Sequence, residues 1–364
     1  MKMNRRQFLL SGMAFAASGI LMACEEYASQ TLPPSESNPL SGTSKDDNQT
    51  ETGVPGTEEG TPGESDGFVH AAPFDLVNGN VLLNNGIEMP ILGLGTFNLS
   101  TREAQTSVTN ALNSGMRLID TAAAYNNETG VGAGIKAAGV PRDQFFVTTK
   151  LWPSNYNMNG IDAALRNLDL DYIDLLLLHQ PSGDYIGGYK AMEQAVADGK
   201  VRAIGLSNFS TSQFDEVVAA ASILPAVHQV ETHLHNQQAG MQRYIDQYGT
   251  LLEGWFPFGG RTNCQTFFNL PEVQEIAAGH GKSPAQTIIR WHLQSGHITI
   301  PGSRNADHIQ ENTQVFDFEL TEEEMSVLNA LNRNAAFFPG LGVTDEEAQE
   351  RMQQWANEWG LNIN

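Results

Sequence analysis

Asp120, Lys150 and His179 each close a short apolar run, 117–119, 145–149 and 173–178, so an acid, an amine and an imidazole recur at intervals of 30 and 29 residues. Singly, each would be a structural group bordering solvent. Brought to one rim, the three make a set that can hold and transfer a proton. Four later runs also end in polar or aromatic groups: 202–206 in Ser207-Asn208, 227–230 in Gln229 and Glu231, 250–255 in Trp255, and 297–300 in Pro301-Gly302-Ser303. Such a rim needs elements that bring the run ends together. With 91–95 there are eight apolar runs, and segments of helical period such as 103–113, 188–197 and 284–294 lie between them. Ser283-Pro284 and Thr321-Glu322-Glu323-Glu324 supply helix starts. Alternating strand and helix implies a parallel sheet, and eight repeats predict an α/β fold, a closed (β/α)8 TIM barrel with its chemistry at the carboxyl ends of the strands. Ahead of it, 81–83 and 87–89 flank Asn84-Asn85-Gly86, which predicts an N-terminal β-hairpin with a two-residue Asn-Gly turn, both central residues at positive φ.

The 364 residues carry 20 Lys plus Arg against 42 Asp plus Glu, a net charge of −22, which excludes nucleic acid as a partner because phosphate binding needs a basic face. Hydrophobic residues at 40% and charged residues at 17% give an ordinary globular mixture, so the chain is not disordered throughout. Its two cysteines, Cys24 and Cys264, form neither a disulfide framework nor a CxxC pair for zinc or redox work. Residues 1–23 read as an address. Arg5-Arg6-Gln7-Phe8-Leu9 resembles a twin-arginine export motif, with Asn4 and Leu10 departing from it, and Leu21-Met22-Ala23-Cys24 resembles a bacterial lipobox that would place a lipid on Cys24. An uncleaved signal anchor is the alternative. Residues 24–75, rich in Ser, Thr, Gly, Pro and acids, read as a disordered acidic tether. The barrel is expected over 76–340, and a C-terminal helix and tail over 341–364, where Trp355, Trp359 and Met352 share a face.

Several longer motifs stand in order: Leu118-Ile119-Asp120-Thr121-Ala122 with Tyr125 and Asn127-Glu128, Thr149-Lys150-Leu151-Trp152, Leu178-His179-Gln180-Pro181, Gly205-Leu206-Ser207-Asn208-Phe209 and Ile309-Gln310-Glu311-Asn312. In this order they resemble the aldo-keto reductase family, most nearly its bacterial 2,5-diketo-gluconate reductase-like branch, over 81–331. The resemblance implies reduction of carbonyl compounds and oxidation of alcohols with a nicotinamide dinucleotide, and a catalytic set of Asp120, Tyr125, Lys150 and His179. Tyr125 would be the general acid. Lys150 would lower its pKa, Asp120 would keep Lys150 charged and oriented, and His179 would donate to the carbonyl oxygen. Ser207, Asn208 and Gln229 match the family's carboxamide contacts, Trp255 its nicotinamide-stacking aromatic, and Ser303, Glu311 and Asn312 its adenosine end. Phe256 and Phe258 fall in the same cofactor-facing stretch.

Three positions depart from the family. Gly302 stands where Ile-Pro-Lys-Ser has its lysine, His308 where an arginine precedes Ile-x-Glu-Asn, and Phe256 where relatives tend to have a small residue. The expected cofactor is NADP, with NAD possible, and Arg304 is the guanidinium left to meet a 2′-phosphate. Gly130-Val131-Gly132-Ala133-Gly134 lacks both the sixth-position glycine and a preceding strand, so it reads as the start of a helix and not as a Rossmann phosphate loop. Phe97 and Trp152 join Tyr125 as an aromatic substrate wall. His233-Leu234-His235 reads as a loop, with no metal site expected, and Cys264 falls in a loop. The expected partners are a small carbonyl or alcohol and a membrane reached through the lipid anchor, and the chain is expected to be an exported, outward-facing or periplasmic monomer. A tethered nucleotide-binding sensory module is the alternative function.

Overall fold

Eight parallel strands follow one another around the sheet in chain order, each next to its sequence neighbour. In the computed structural model, which describes residues 72–261 and 263–338, they are β3 (Gly93–Gly95), β4 (Leu118–Asp120), β5 (Phe146–Leu151), β6 (Ile173–Leu178), β7 (Val201–Ser207), β8 (Val227–Glu231), β9 (Leu251–Trp255) and β10 (His297–Thr299), preceded by the antiparallel hairpin of β1 (Asn80–Leu82) and β2 (Glu88–Pro90). The Leu92–Thr299 bridge and the bond from Thr299 N–H to the Ile91 carbonyl at 3.0 Å return the last strand to the first and close the barrel. Strands β5 and β6 are buried at every position. Covered on both faces, they read as unbroken apolar runs with no alternation. All eight expected strands are present.

Helices α1 (Thr101–Asn113), α2 (Glu128–Ala138), α3 (Met158–Leu168), α4 (Tyr185–Ala197), α5 (Thr211–Ala220), α6 (Ala239–Asp246), α7 (Cys264–Phe268), α8 (Pro271–His280), α9 (Pro284–Gln294), α10 (Ala306–Asn312) and α11 (Glu322–Asn329) form the outer layer. Ser283 and Thr321 start α9 and α11 with reciprocal capping boxes to Gln286 and Glu324, as their sequences foretold. The Gly130, Gly132 and Gly134 run lies inside α2 and serves helix packing. A Cβ at Gly130 would stand 2.1 Å from the Thr101 carbonyl oxygen, and one at Gly132 2.3 Å from that of Leu168. Only glycine lets α2 settle this deeply between α1 and α3.

The hairpin seals the amino end of the barrel. Asn84 and Asn85 donate to the carbonyls of Pro225 and Arg202 at 2.9 and 3.1 Å, at the starts of β8 and β7. Its turn differs from the expected one. Leu83 pairs with Ile87, three residues lie between them, and of these Gly86 alone adopts positive φ, at 81°. The longer loop lets the two asparagines reach the barrel floor. Ala72 and Phe74 already pack on the core, so the folded part begins slightly before residue 76. The signal, Cys24, most of the tether and the 341–364 segment with Trp355 and Trp359 lie outside the described residues. Among the described residues, no helix is long and apolar enough to cross a membrane.

Candidate active site

With the floor sealed, the carboxyl ends of the strands open at the other face. Asp120 is the last residue of β4, and Lys150 lies on β5 two residues beyond Thr148, the register partner of Asp120. The Lys150 ammonium donates to both Asp120 carboxylate oxygens at 2.6 and 2.7 Å, to the Thr121 carbonyl at 3.0 Å and to the Tyr125 hydroxyl at 3.4 Å. Tyr125 ends a 3-10 turn, Ala123–Tyr125, that Asn126 terminates in the left-handed region at φ 55°. Asn127 fixes this turn to the neighbouring loop by donating to the carbonyls of Thr96 and Leu99, both at 2.9 Å. That bond pair also holds Phe97 beside Tyr125, with ring centroids 5.0 Å apart. His179, just after β6, meets Tyr125 and Trp152 edge-on at 5.7 and 5.2 Å. The structure therefore brings Asp120, Tyr125, Lys150, His179, Phe97 and Trp152 to one mouth.

Burial dominates the electrostatics. It pushes the Lys150 ammonium down, but the charge and hydrogen bond of Asp120 together with Tyr125 and Glu253 outweigh it and the net shift is upward. Burial raises Asp120 while Lys150 and Gln229 pull it back. With an ammonium bonded to both its oxygens, Asp120 stands as the anion of an ion pair. Lys150 does draw the Tyr125 phenol downward, as expected, but desolvation is larger and Tyr125 is pushed up to about 12. The expected net lowering therefore does not occur in this state. Burial, aided by Lys150, holds His179 well below its ordinary value, so its imidazole is neutral. Its Nδ1 is buried without a partner among the described residues, and an unpaired N–H there would cost more than an unpaired lone pair. The proton therefore belongs on Nε2, where it can be donated.

On the next strands Ser207 and Gln229 are register partners. Asn208, at φ 66°, donates to Ser207 Oγ and the His179 carbonyl, both at 3.0 Å, and accepts from Trp255 Nε1 at 3.0 Å. Gln229 spends its NH2 group on Asp120 and Glu253, each at 2.9 Å. That leaves the Ser207 hydroxyl as a donor and Gln229 Oε1 as an acceptor, the complement of a carboxamide, beside the Trp255 indole. This donor set fits the nicotinamide end of a dinucleotide.

The adenosine end fits less completely. Arg304 is engaged by Glu103 at 2.6 Å, and the same carboxylate completes the cap of α1 through Ser100. Arg304 and its hydrogen bonds, with those of Ser100, hold Glu103 down at about 2 against the opposing effect of burial. Ser303 Oγ accepts from the Asn305 N–H at 3.1 Å, and His308, Glu311 and Asn312 lie on α10. The Phe258 ring packs on Phe268, part of a second core cluster that α7, α8, α9 and α11 form outside the barrel. Phe256, at φ 54°, bridges the mouth: its ring lies 5.5 Å from Phe97, 5.0 Å from Trp255 and 5.2 Å from Phe338. Cys264 does not lie in a loop but opens α7, buried in the second core cluster.

Two features escaped the sequence reading. Glu231 and His233 pair with each other at 3.0 Å, and the Glu231 carboxylate also accepts from the N–H groups of Phe337 and Phe338 at 2.6 and 3.2 Å. Their work is to clamp the C-terminal segment against the mouth. Glu253 lies fully buried below Asp120, and an acid inside the run Leu251-Leu252-Glu253-Gly254-Trp255 was the available signal.

A model of the aldo/keto reductase family matches residues 91–333. A morphine 6-dehydrogenase of Pseudomonas putida is 42% identical over 273 residues, covering 71% of this chain and 92% of that protein. A glyoxal reductase of Bacillus subtilis (strain 168) is 42% identical over 265 residues, covering 71% of this chain and 95% of that protein. Among solved structures, an aldo-keto reductase enzyme from a Medee basin deep-sea metagenome library superimposes with a TM-score of 0.70 at 37% identity, covering 73% of this chain and 99% of that one.

Proposed function

The chain belongs to the aldo/keto reductase family and is an NAD(P)-dependent oxidoreductase that interconverts carbonyl compounds and alcohols; from that premise we propose how its own residues divide the work. The sensory-module alternative has no support among these relatives, which are named as reductases and dehydrogenases.

The nicotinamide nucleotide, when bound, supplies or accepts the hydride. Ser207 and Gln229 Oε1 would hold its carboxamide and Trp255 its ring, with Asn208 keeping the indole upright. A substrate carbonyl enters between Phe97, Trp152 and the edge of Tyr125. Its oxygen receives a hydrogen bond from His179 Nε2 and, as charge develops, the phenolic proton of Tyr125. Lys150 stabilises the phenolate that remains, and Asp120 keeps Lys150 charged. The observation that carries this reading is the Lys150 ammonium, bonded at once to Asp120 and to the Tyr125 hydroxyl. Replacing Tyr125→Phe should lower turnover by roughly 10²–10⁴-fold, while nucleotide still quenches tryptophan fluorescence. Retained turnover would remove Tyr125 from the role.

The finer assignments rest on sequence. The order of the motifs supports the 2,5-diketo-gluconate reductase-like branch, and Arg304, in reach of the adenosine end, supports NADP ahead of NAD. Arg5-Arg6 and Leu21-Met22-Ala23-Cys24 support an exported protein anchored by a lipid on Cys24. Metabolic labelling with a fatty-acid analogue should mark the wild type and leave Cys24→Ala unmarked; equal labelling of the two would overturn the anchor.

A further inference from the structure

Below the site lies an acid that the reaction as described does not use. Glu253 is at the centre of β9, with none of its surface exposed. Its Oε2 accepts from Gln229 Nε2 at 2.9 Å, and the same nitrogen donates to Asp120 Oδ2 at 2.9 Å. Its Oε1 is buried with no partner among the described residues. One neutral amide thus ties two carboxyl groups together, and one of them, Asp120, is already the anion of the Lys150 pair. Two anions sharing one amide in a buried site repel strongly, and the one without an ammonium is the one that keeps its proton.

We propose that Glu253 is a positioning residue for the reaction, acting through Gln229 and Asp120. As a neutral acid it leaves Asp120 as the single anion facing Lys150, and when it ionises it opposes the Tyr125 phenolate and weakens Tyr125 as a proton donor. It also sets which face of Gln229 meets the cofactor, because two acceptors below fix the NH2 group downward and leave Oε1 above.

The groups around it allow this assignment to be read from kinetics. Asp120 and Lys150 act on Glu253 from β4 and β5, and Tyr125 stands above Lys150. Behind the strand, His292 approaches the outer side of Gly254, and His292 and His297 are both held neutral by burial. Burial first, and Asp120 second, push Glu253 up to about 8, whereas Tyr125 and Lys150 are raised and His179 is lowered. An inflection near pH 8 that disappears in Glu253→Gln would therefore belong to Glu253.

The proposal rests on the catalytic reading of Tyr125 given above. Its test is the pH profile of carbonyl reduction in the wild type and in Glu253→Gln. The ratio of variant to wild-type kcat should rise about tenfold between roughly pH 6.5 and 9.5, since only the wild type acquires the second anion. A ratio independent of pH overturns the role of Glu253 and leaves Tyr125 untouched, while activity in Tyr125→Phe overturns the catalytic reading instead. Should Glu253→Gln fail to fold, infrared spectra of the ¹³C-glutamate-labelled protein carrying Glu128→Gln, which removes another buried acid with a raised value, provide the second test. A labelled carboxylic-acid carbonyl band at about pH 6 that fades as the pH passes about 8 supports the proposal. Absence of that band at the lower pH overturns it.

Discussion

The two ends of the barrel mouth are built on different physical terms. At the catalytic end Lys150, Asp120, Gln229 and Glu253 are buried side by side, each bonded to the next. At the adenosine end Arg304 and Glu103 meet with about a third of each side chain exposed, at 37% and 34%. A buried charge depends on its partner for its existence, because desolvation would otherwise neutralise or expel it, whereas an exposed pair contributes little and is exchanged easily. Of the three positions that depart from the expected pattern, Gly302 and His308 fall at the exposed end, whereas Phe256 lies at the mouth against Phe97 and Trp255.

The contrast can be broken most forcefully at Lys150. Lys150→Met would strand the Asp120 anion in the barrel, and should cost about 3–5 kcal/mol of stability along with nearly all turnover, measured by urea unfolding and by carbonyl reduction. A variant as stable as the wild type would mean that the buried end is no more interdependent than the exposed one. A smaller effect comes from the stability of Glu253→Gln as a function of pH. The folded-state value of Glu253, about 8, lies above the ordinary 4.5, so the folded protein keeps a proton that the unfolded chain releases. The stability this proton confers is complete below about pH 4.5 and is lost as the pH rises through about 8. The melting temperature of Glu253→Gln relative to the wild type should therefore climb across that window, and a flat difference would contradict a buried neutral acid. The smallest effect is expected at the exposed end. Glu103→Gln should free Arg304 for a 2′-phosphate, lowering KM for NADPH by a few-fold, about 1 kcal/mol at most, with little change for NADH. Equal changes for both cofactors would show that the pair does not bear on cofactor choice.

Much of the fold was legible because it is local. Each strand announced itself as a short apolar run, each run end as a change to polar residues, and capping boxes such as those of Ser283 and Thr321 spanned three residues. Asp120, Lys150, His179 and Ser207 were legible for the same reason, being polar groups at the ends of apolar runs, whereas the place of Tyr125 came from the resemblance. The hairpin turn was misjudged because a three-residue loop and a two-residue loop share the Asn-Gly signature, and the choice was made by Pro225 and Arg202, more than a hundred residues away.

By itself the sequence determined the alternation of strands and helices, the order of the motifs and which side chains end the strands, since all of these are set by neighbours along the chain. Tertiary structure alone decided that Gln229 would join Asp120, 109 residues distant, to Glu253, that Glu103 would take Arg304 across 201 residues, and that Glu231 would hold Phe337 and Phe338. It also decided the state of Tyr125, where the desolvation of a closed barrel outweighs the pull of an adjacent lysine. Barrel closure is the physical reason: it brings residues with no periodic relation into one low-dielectric space, and only there do burial and charge acquire magnitudes that decide which group holds the proton.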